Sequence, residues 1–158
     1  MNSELPRPDT LVRDLAEQLR PEYVVFLTNV PGVFDRPPEE QGARLLRRIV
    51  VRPGGGWRVA EVEGGGLGGG GSGGGESGVR MSVDAHDATG GIALKVEEAA
   101  AVARLGIPVV IAQAGSEDGD AACRLGPQVA LQAAGTAAAA AAAGAAGGGW
   151  RGTLVVLE

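Results

Sequence analysis

The chain has 158 residues, of which 28 are glycine, and a formal net charge of −5 at pH 7. This length fits one domain, although the glycines and a long alanine tract leave fewer side chains for a core. The acidic balance and the scattered arginines argue against nucleic acid as the main partner. The single Cys123 excludes an internal disulfide and favours a reducing compartment. No signal peptide or membrane span is recognisable, so we expect a cytoplasmic protein without a membrane partner.

Apolar runs and helical repeats alternate along the chain, which predicts an α/β domain. An amphipathic helix begins near Asp9, whose side chain can cap it, and ends before Pro21. Further helices are predicted at Gly91–Leu105 and near Asp118–Leu125. The short Arg-Pro-Gly-Gly-Gly link between the second and third predicted strands indicates a hairpin. The predicted strands are Tyr23–Leu27, Leu45–Val51, Trp57–Val62, Pro108–Gln113 and Thr153–Leu157.

Two segments of low complexity interrupt this pattern. Residues 64–78 consist mainly of glycine and serine, a composition that forms no core, so we expect a flexible loop there. Residues 133–149 are mainly alanine and glycine, which favour helix in part but have little apolar surface to bury. We therefore predict that both are peripheral inserts in a domain that spans residues 1–158.

The first candidate site is the end of the predicted strand Tyr23–Leu27. This continuous apolar run is typical of a strand that is buried on both faces of a parallel sheet. Polar Thr28 and Asn29 follow it, and then a Pro-Gly turn. Ligands of open α/β sheets bind beyond the carboxyl ends of strands, so a nucleotide is expected at these positions. The alternative is a plain strand that ends in a turn.

The second candidate site is the motif Asp87-Ala-Thr-Gly-Gly-Ile-Ala-Leu-Lys95. Gly90 and Gly91 open a predicted helix, whose first N–H groups and positive dipole end attract phosphate. Glycine lets the phosphate approach the backbone closely, and Lys95, one turn later, can reach back over the same anion. Asp87 or Thr89 is the expected N-cap. A Gly-Gly pair before a helix is also an ordinary turn, so both interpretations of the motif alone stay open.

Together, the two sites resemble the nucleotide-binding half of the amino acid kinase superfamily and, within it, the isopentenyl phosphate kinase family. Members have a strand that ends in Thr-Asp-Val-x-Gly-Val-Tyr-Asp-Arg-x-Pro, and later an Asp-x-Thr-Gly-Gly-x-x-x-Lys helix start. These correspond here to Thr28–Pro38 and Asp87–Lys95. Asn29 replaces the family's aspartate, which keeps a hydrogen-bonding side chain but removes its charge. The similarity extends through residues 11–25, 99–111 and 150–154.

The resemblance implies a three-layer α/β/α amino acid kinase-like fold, present in part, with a mainly parallel sheet. It implies phosphoryl transfer from ATP, with Mg²⁺, to isopentenyl phosphate in isoprenoid biosynthesis. The sequence itself, with His86 as its one histidine and no cluster of Cys or carboxylates at ligand spacing, predicts no metal site made of protein ligands. Lys95 is the implied catalytic residue, because it would offset charge on the transferred phosphoryl group. Both motifs must face one nucleotide, so Thr28 and Gly91 are expected at the same edge of the sheet. The implied ATP-binding residues are Thr28, Asn29, Gly32, Val33, Phe34, Asp35, Asp87, Thr89, Gly90, Gly91 and Lys95.

The family's substrate-binding residues lie in an amino-terminal half with a lysine- and glycine-rich loop, which this sequence is expected to lack. We therefore expect no turnover from this chain alone, and its substrate-binding residues stay unknown. One alternative is another kinase of the superfamily, similar to acetylglutamate kinase. The other is a non-catalytic nucleotide-binding or dimerisation remnant. Formation of a homodimer is left open.

Overall fold

A computed structural model describes residues 8–64, 91–133 and 149–158 of the chain. Every predicted helix and strand is present there, with ends that differ by no more than one or two residues. A helical segment at residues 128–133 was not predicted. In chain order the elements are α1 (Pro8–Leu19), β1 (Val24–Thr28), β2 (Leu46–Val51), β3 (Trp57–Val62), α2 (Gly91–Ala103), β4 (Val109–Gln113), α3 (Glu117–Leu125) and β5 (Thr153–Leu157).

The described strands form one mixed sheet in the order β1-β4-β5-β2-β3. β1 is parallel to β4 and β5 is parallel to β2, whereas the β4–β5 and β2–β3 pairs are antiparallel. The prediction of a mainly parallel sheet is therefore wrong. The chain enters β5 at Thr153, opposite Ile111 near the end of β4, so β5 must run against β4. The pattern of apolar residues in a strand indicates which of its faces are buried. It does not indicate whether the strand runs parallel or antiparallel to its neighbours.

The predicted hairpin between β2 and β3 is confirmed. Its turn is closed by the Arg52 N–H, which donates to the Gly56 carbonyl at 3.0 Å, and by the Gly55 N–H, which donates to the Arg52 carbonyl at 3.1 Å. Gly55 and Gly56 have φ angles of 104° and 77°, a backbone region that side chains other than glycine rarely enter. The run of glycines after Pro53 thus supplies the positive φ angles of this turn.

Helices cover both faces of the sheet, so the described part has three layers. On one face, Ala16 of α1 and Val96 of α2 pack with the strand residues Ile49, Ile111 and Val155. On the other face, Ala122 of α3 and Val129 pack with Val110 and Leu154. Both clusters contain residues of β4 and β5, because these two strands lie near the middle of the sheet. No helix in the described ranges is long and apolar enough to cross a membrane.

Both tryptophans are packing residues. Trp57 is buried at the start of β3, and its indole N–H donates to the Glu97 carboxylate of α2 at 3.3 Å. Trp150 is buried before β5, and its indole N–H donates to the Asp118 carbonyl of α3 at 2.9 Å. Each side chain therefore connects a strand end to a helix on one face of the sheet.

The two predicted inserts, residues 64–78 and 133–149, lie almost wholly outside the described residues. Ala133, with which the second begins, is buried and packs in the same cluster as α3. Whether the remainder of either insert is peripheral stays a prediction.

The buried Thr153 connects three segments of the fold. Its hydroxyl donates to the Leu46 carbonyl at 2.7 Å and accepts a hydrogen bond from the Val33 N–H at 2.9 Å. Thr153 therefore joins the start of β5 to the start of β2 and to the segment that follows β1. Because the side chain is fully buried, water cannot replace these hydrogen bonds.

We expect Thr153→Val to lower the free energy of unfolding by about 2 kcal/mol or more, because it leaves a buried N–H and a buried carbonyl without this partner. Thr153→Ser is the matched control, since it keeps the hydroxyl and loses one methyl group, for a cost of about 1 kcal/mol. Urea unfolding of the two variants measures the difference. Equal losses for both would show that the hydroxyl contributes nothing.

Candidate active site

β1 and β4 end side by side, and polar residues gather where they end. Thr28 and Gln113 are paired in the parallel register, and the Ala114 N–H donates to the Thr28 carbonyl at 2.8 Å. The Gln113 side-chain amide donates to the Asn29 carbonyl at 3.2 Å. We call this end of the two strands the carboxyl edge. The carboxyl edge thus has polar residues beyond the ends of two parallel strands. This is the position where the sequence predicts a nucleotide.

The two predicted residues at this edge differ in exposure. The Thr28 side chain is buried, and its hydroxyl donates to the Asn29 side-chain oxygen at 3.2 Å. Asn29 is exposed. Asn29 is therefore the one of the pair whose side chain a ligand can reach directly, while Thr28 holds it in place.

Gly32 allows the segment after β1 to lie directly against β5. A Cβ atom at Gly32 would lie 2.7 Å from the Thr153 hydroxyl oxygen and 3.1 Å from the Thr153 backbone nitrogen. Real Cβ atoms essentially never approach another heavy atom to under 3.0 Å. The neighbouring Val33 carbonyl accepts a hydrogen bond from the Leu46 N–H at 2.7 Å. The segment is thus fixed to both β5 and β2, and Gly32 makes that close contact possible.

Val33, Phe34 and Asp35 are predicted ATP-binding residues, and all three are buried. Val33 belongs to the core cluster under α1 and α2, and Phe34 forms an isolated antiparallel bridge with Leu45. Their side chains therefore face protein, so contact with a nucleotide would have to come from their backbone atoms. Their role in binding ATP stays a prediction.

The Asp35 carboxylate is held by two arginines. It accepts hydrogen bonds from the Arg44 N–H at 2.9 Å, the Arg44 side chain at 3.3 Å and the Arg36 side chain at 3.4 Å. Burial acts to raise the pKa of Asp35, but these hydrogen bonds and the Arg36 charge outweigh it, so the pKa lies below 3.8. The Asp35 N–H also donates to the Arg44 carbonyl at 3.0 Å. Asp35 therefore closes the loop from residue 35 to residue 44.

The predicted phosphate-binding helix begins where the sequence places it, since α2 starts at Gly91. Its first turn carries no acidic residue, and the half-buried Lys95 lies one turn further on. The first N–H groups of a helix and its positive dipole end favour an anion, and nearby carboxylates would oppose it. The first turn of α2 therefore carries no charge that would repel a phosphate, and the phosphate site itself stays a prediction.

The start of α3 has the opposite character, although it follows β4 at the carboxyl edge. Ser116 caps it and accepts a hydrogen bond from the Gly119 N–H at 3.0 Å. Its first turn carries Glu117, Asp118 and Asp120, whose charges offset the positive end of the helix dipole. Of these two helices, only α3 carries acidic residues in its first turn.

The remaining predicted residues of the glycine motif, Asp87, Thr89 and Gly90, lie outside the described residues. That Gly91 lies at the carboxyl edge together with Thr28 also stays a prediction. Within the described ranges, no group of three or more His, Cys, Asp or Glu residues is placed to hold a metal ion.

Sequence analysis missed three residues that support this site. Gln113 ends a predicted strand, but nothing in the sequence indicates that its amide reaches Asn29. Arg44 lies in an irregular loop, and its pairing with Asp35 depends on how that loop closes. Thr153 is far from Val33 in sequence, so its hydrogen bond follows only from the sheet order. A polar residue within an apolar strand was the one available signal for Thr153.

We expect Asp35→Asn to lower the free energy of unfolding by about 1–2 kcal/mol at pH 7, because it removes the charge that both arginines contact. The folded-state pKa is below the unfolded value, so the carboxylate stabilises fully above the unfolded pKa. That stabilisation is lost as the pH falls through the folded-state pKa. The difference between parent and variant should therefore shrink below pH 3.8. Urea unfolding at pH 7, 5 and 3 measures it.

The exposed Glu39, in the same loop, supplies the control Glu39→Gln, which should change stability little at any of these pH values. A difference between Asp35→Asn and the parent that is equal at pH 7 and pH 3 would contradict the assignment of a stabilising charge.

Two comparisons with known proteins bear on this arrangement. A stretch of 108 residues, 67% of the chain, is 44% identical to a protein of Arabidopsis thaliana named isopentenyl phosphate kinase. The stretch is only 30% of the length of that relative, so the chain spans less than a third of it. The sequence pattern of the amino acid kinase family matches residues 7–113, which include α1, α2 and β1 to β4. Since this match covers more than half of the chain, the protein belongs to the amino acid kinase family.

Proposed function

We propose that the chain is the nucleotide-binding part of a kinase that transfers a phosphoryl group from ATP to isopentenyl phosphate. The observation that carries this proposal is the 44% identity over 108 residues to the Arabidopsis isopentenyl phosphate kinase. The product of this reaction would be isopentenyl diphosphate, a precursor of isoprenoids. Family membership alone supports phosphoryl transfer in general, and the identity supports this acceptor.

The ribose and adenine of ATP would lie beyond the carboxyl edge, next to Asn29. The hydrogen bonds from Gln113 and Thr28 to Asn29 hold it in place before a ligand arrives. The fixed segment from Gly32 to Asp35 would border the same space through its backbone. A site that is already ordered binds with a smaller loss of conformational entropy, which supports this location.

The phosphates of ATP would lie at the start of α2. Gly90 and Gly91 would donate backbone N–H groups to phosphate oxygens, next to the predicted cap Asp87 or Thr89. Lys95 would contact the phosphoryl group that is transferred. Charge builds up on this group as its bond to ADP breaks, so a fixed cation there stabilises the transition state. The acceptor phosphate is already anionic at neutral pH, so no strong general base is required.

Mg²⁺ would be carried mainly by the phosphates of ATP. Asp35 is the carboxylate within the motif that follows β1, and it is engaged by Arg44 and Arg36. Mg²⁺ in nucleotide sites keeps several water ligands and needs only one or two carboxylates. The described residues fit this mode and not a cage of protein ligands. When bound, the ion would neutralise charge on the phosphates.

The acceptor-binding residues are proposed to lie in a part of the kinase that this sequence does not contain. We therefore propose that the chain binds ATP but does not transfer phosphate by itself. An acetylglutamate kinase-like activity would share the nucleotide site and differ in that part. A homodimer remains compatible with this function.

We expect Lys95→Ala to weaken binding of ATP with Mg²⁺ by about tenfold or more, because a charged hydrogen bond to phosphate contributes about 1.5–3 kcal/mol. Lys95→Arg should restore binding only in part, since a planar guanidinium replaces a compact ammonium group. Arg104→Ala, which removes a positive charge just after α2, is the matched control and should bind like the parent. Calorimetric titration measures all four proteins.

We also expect an effect of Lys95→Ala on catalysis, measured in a chimera that supplies the amino-terminal part of the Arabidopsis kinase. With isopentenyl phosphate as acceptor, Lys95→Ala should lower kcat more than it raises KM. The reason is that Lys95 would offset most charge in the transition state. Unchanged kcat in the Lys95→Ala chimera would remove this residue from the mechanism. Activity with acetylglutamate and none with isopentenyl phosphate would favour the other kinase.

Lys95 is the only lysine of the chain, which allows a direct test of its position. We expect ATP with Mg²⁺ to slow acetylation of its amine, because a bound phosphate would shield it. Mass spectrometry of the peptide that contains Lys95 measures the rate. AMP, which lacks the β- and γ-phosphates, should protect much less. Equal protection by both nucleotides would place Lys95 away from the terminal phosphates.

A further inference from the structure

Two side-chain amides lie next to each other at the carboxyl edge, and each already uses one of its two polar ends. The Asn29 side-chain oxygen accepts a hydrogen bond from the Thr28 hydroxyl at 3.2 Å. The Gln113 Nε2 group donates to the Asn29 backbone carbonyl at 3.2 Å. The ends that these contacts leave for a ligand are the Nδ2 group of Asn29, which is a donor, and the side-chain oxygen of Gln113, which is an acceptor.

The backbone that carries both amides is fixed by the fold. Thr28 and Gln113 are partners in the parallel ladder of β1 and β4. The Gln113 carbonyl accepts a hydrogen bond from the Ser116 hydroxyl at 2.8 Å, and a Cβ atom at Gly119 would collide with that carbonyl. The start of α3 therefore lies directly against Gln113. Amides that are held in place before a ligand arrives lose less conformational entropy when it binds.

The charges near Gln113 favour an uncharged ligand group at this part of the carboxyl edge. The first turn of α3 carries Glu117, Asp118 and Asp120. These carboxylates would repel a phosphate, whereas a purine base has no charge at neutral pH. Asn29 is exposed and Gln113 is half-buried, so both amides are open to a ligand. The base of a nucleotide is therefore the part that suits the space beside them.

We infer that Asn29 and Gln113 read this base and make the nucleotide site selective for adenine over guanine. Adenine has an accepting ring nitrogen next to its 6-amino donor, a pattern that Asn and Gln side chains read in nucleic acids. Asn29 would donate to the ring nitrogen, and Gln113 would accept from the amino group. Guanine in the same position would place its 6-oxygen against the Gln113 oxygen, and two acceptors repel each other. This inference rests on the proposed function and assigns the choice of base to two residues.

The test of Gln113 uses the full chain and calorimetric titration with Mg²⁺ and three nucleotides. The parent should bind ATP about tenfold or more tightly than GTP. It should bind purine riboside triphosphate, which lacks the 6-amino group, about fivefold more weakly than ATP. In Gln113→Leu, ATP and purine riboside triphosphate should bind within about twofold of each other, because the acceptor for the amino group is gone. A merely structural role of Gln113 would weaken both nucleotides and leave their ratio as in the parent.

Asn29 is tested with 1-deaza-ATP and 7-deaza-ATP, in each of which one ring nitrogen beside the amino group is replaced by C–H. One of the two should bind to the parent about fivefold more weakly than ATP. That difference should vanish in Asn29→Ala, which removes the donor. Equal binding of ATP and both analogues by the parent would overturn the role of Asn29.

Gln128→Leu is the matched control, since it makes the same chemical change at an exposed position. Gln128 follows Gly126, which lies against the Tyr23 ring just before β1. This is the end of β1 opposite to Thr28, so the variant should bind every nucleotide like the parent. Circular dichroism establishes that each variant is folded.

Equal binding of ATP and GTP by the parent would overturn the inference and leave the proposed function standing, since amides that contact the ribose would give this result. A preference for ATP that persists unchanged in Gln113→Leu would also overturn it, because the selectivity would then come from other groups. Binding of neither nucleotide would contradict the proposed function and, with it, the inference.

Discussion

The hydroxyl of Thr153 is the interaction on which the arrangement of the fold and of the candidate site depends. It bonds to Val33 after β1 and to Leu46 at the start of β2, so two neighbouring segments meet the distant β5 at one buried oxygen. Gly32 makes this meeting possible, because any side chain there would collide with Thr153. The position of the segment that would border the nucleotide is thus set by a residue of the last described strand.

Most of the helices and strands could be predicted, because each depends on a local pattern. Gly91 opens α2, and the glycines after Pro53 form the β2–β3 turn, as their local chemistry indicates. The direction of β5 could not be predicted in this way. It depends on where the chain re-enters the sheet after residue 133, which no local pattern of apolar residues records. This is why the sheet is mixed although the strands themselves were identified correctly.

The candidate site shows the same division between local and distant causes. Polar Thr28 and Asn29 after an apolar strand already indicate the carboxyl edge, since strand ends are a local feature. The burial of Val33, Phe34 and Asp35 could not be inferred from the sequence. It results from pairing with Leu45 and Arg44, about ten residues later, and from contact with β5. The motif residues before Gly91 lie outside the described ranges, so their role in binding ATP stays a prediction.

The central place of β5 has a consequence for how the protein forms. β1 with β4 and β2 with β3 are two separate pairs of strands, and β5 is the only described strand that connects them. A ribosome adds about 5–20 residues per second, so residues 46–62 are made several seconds before β5. During that interval the side of β2 that later pairs with β5 has no partner strand. The apolar face of β2 is then exposed to other nascent chains. The vulnerable period in the life of this protein is therefore its synthesis, before Thr153 arrives.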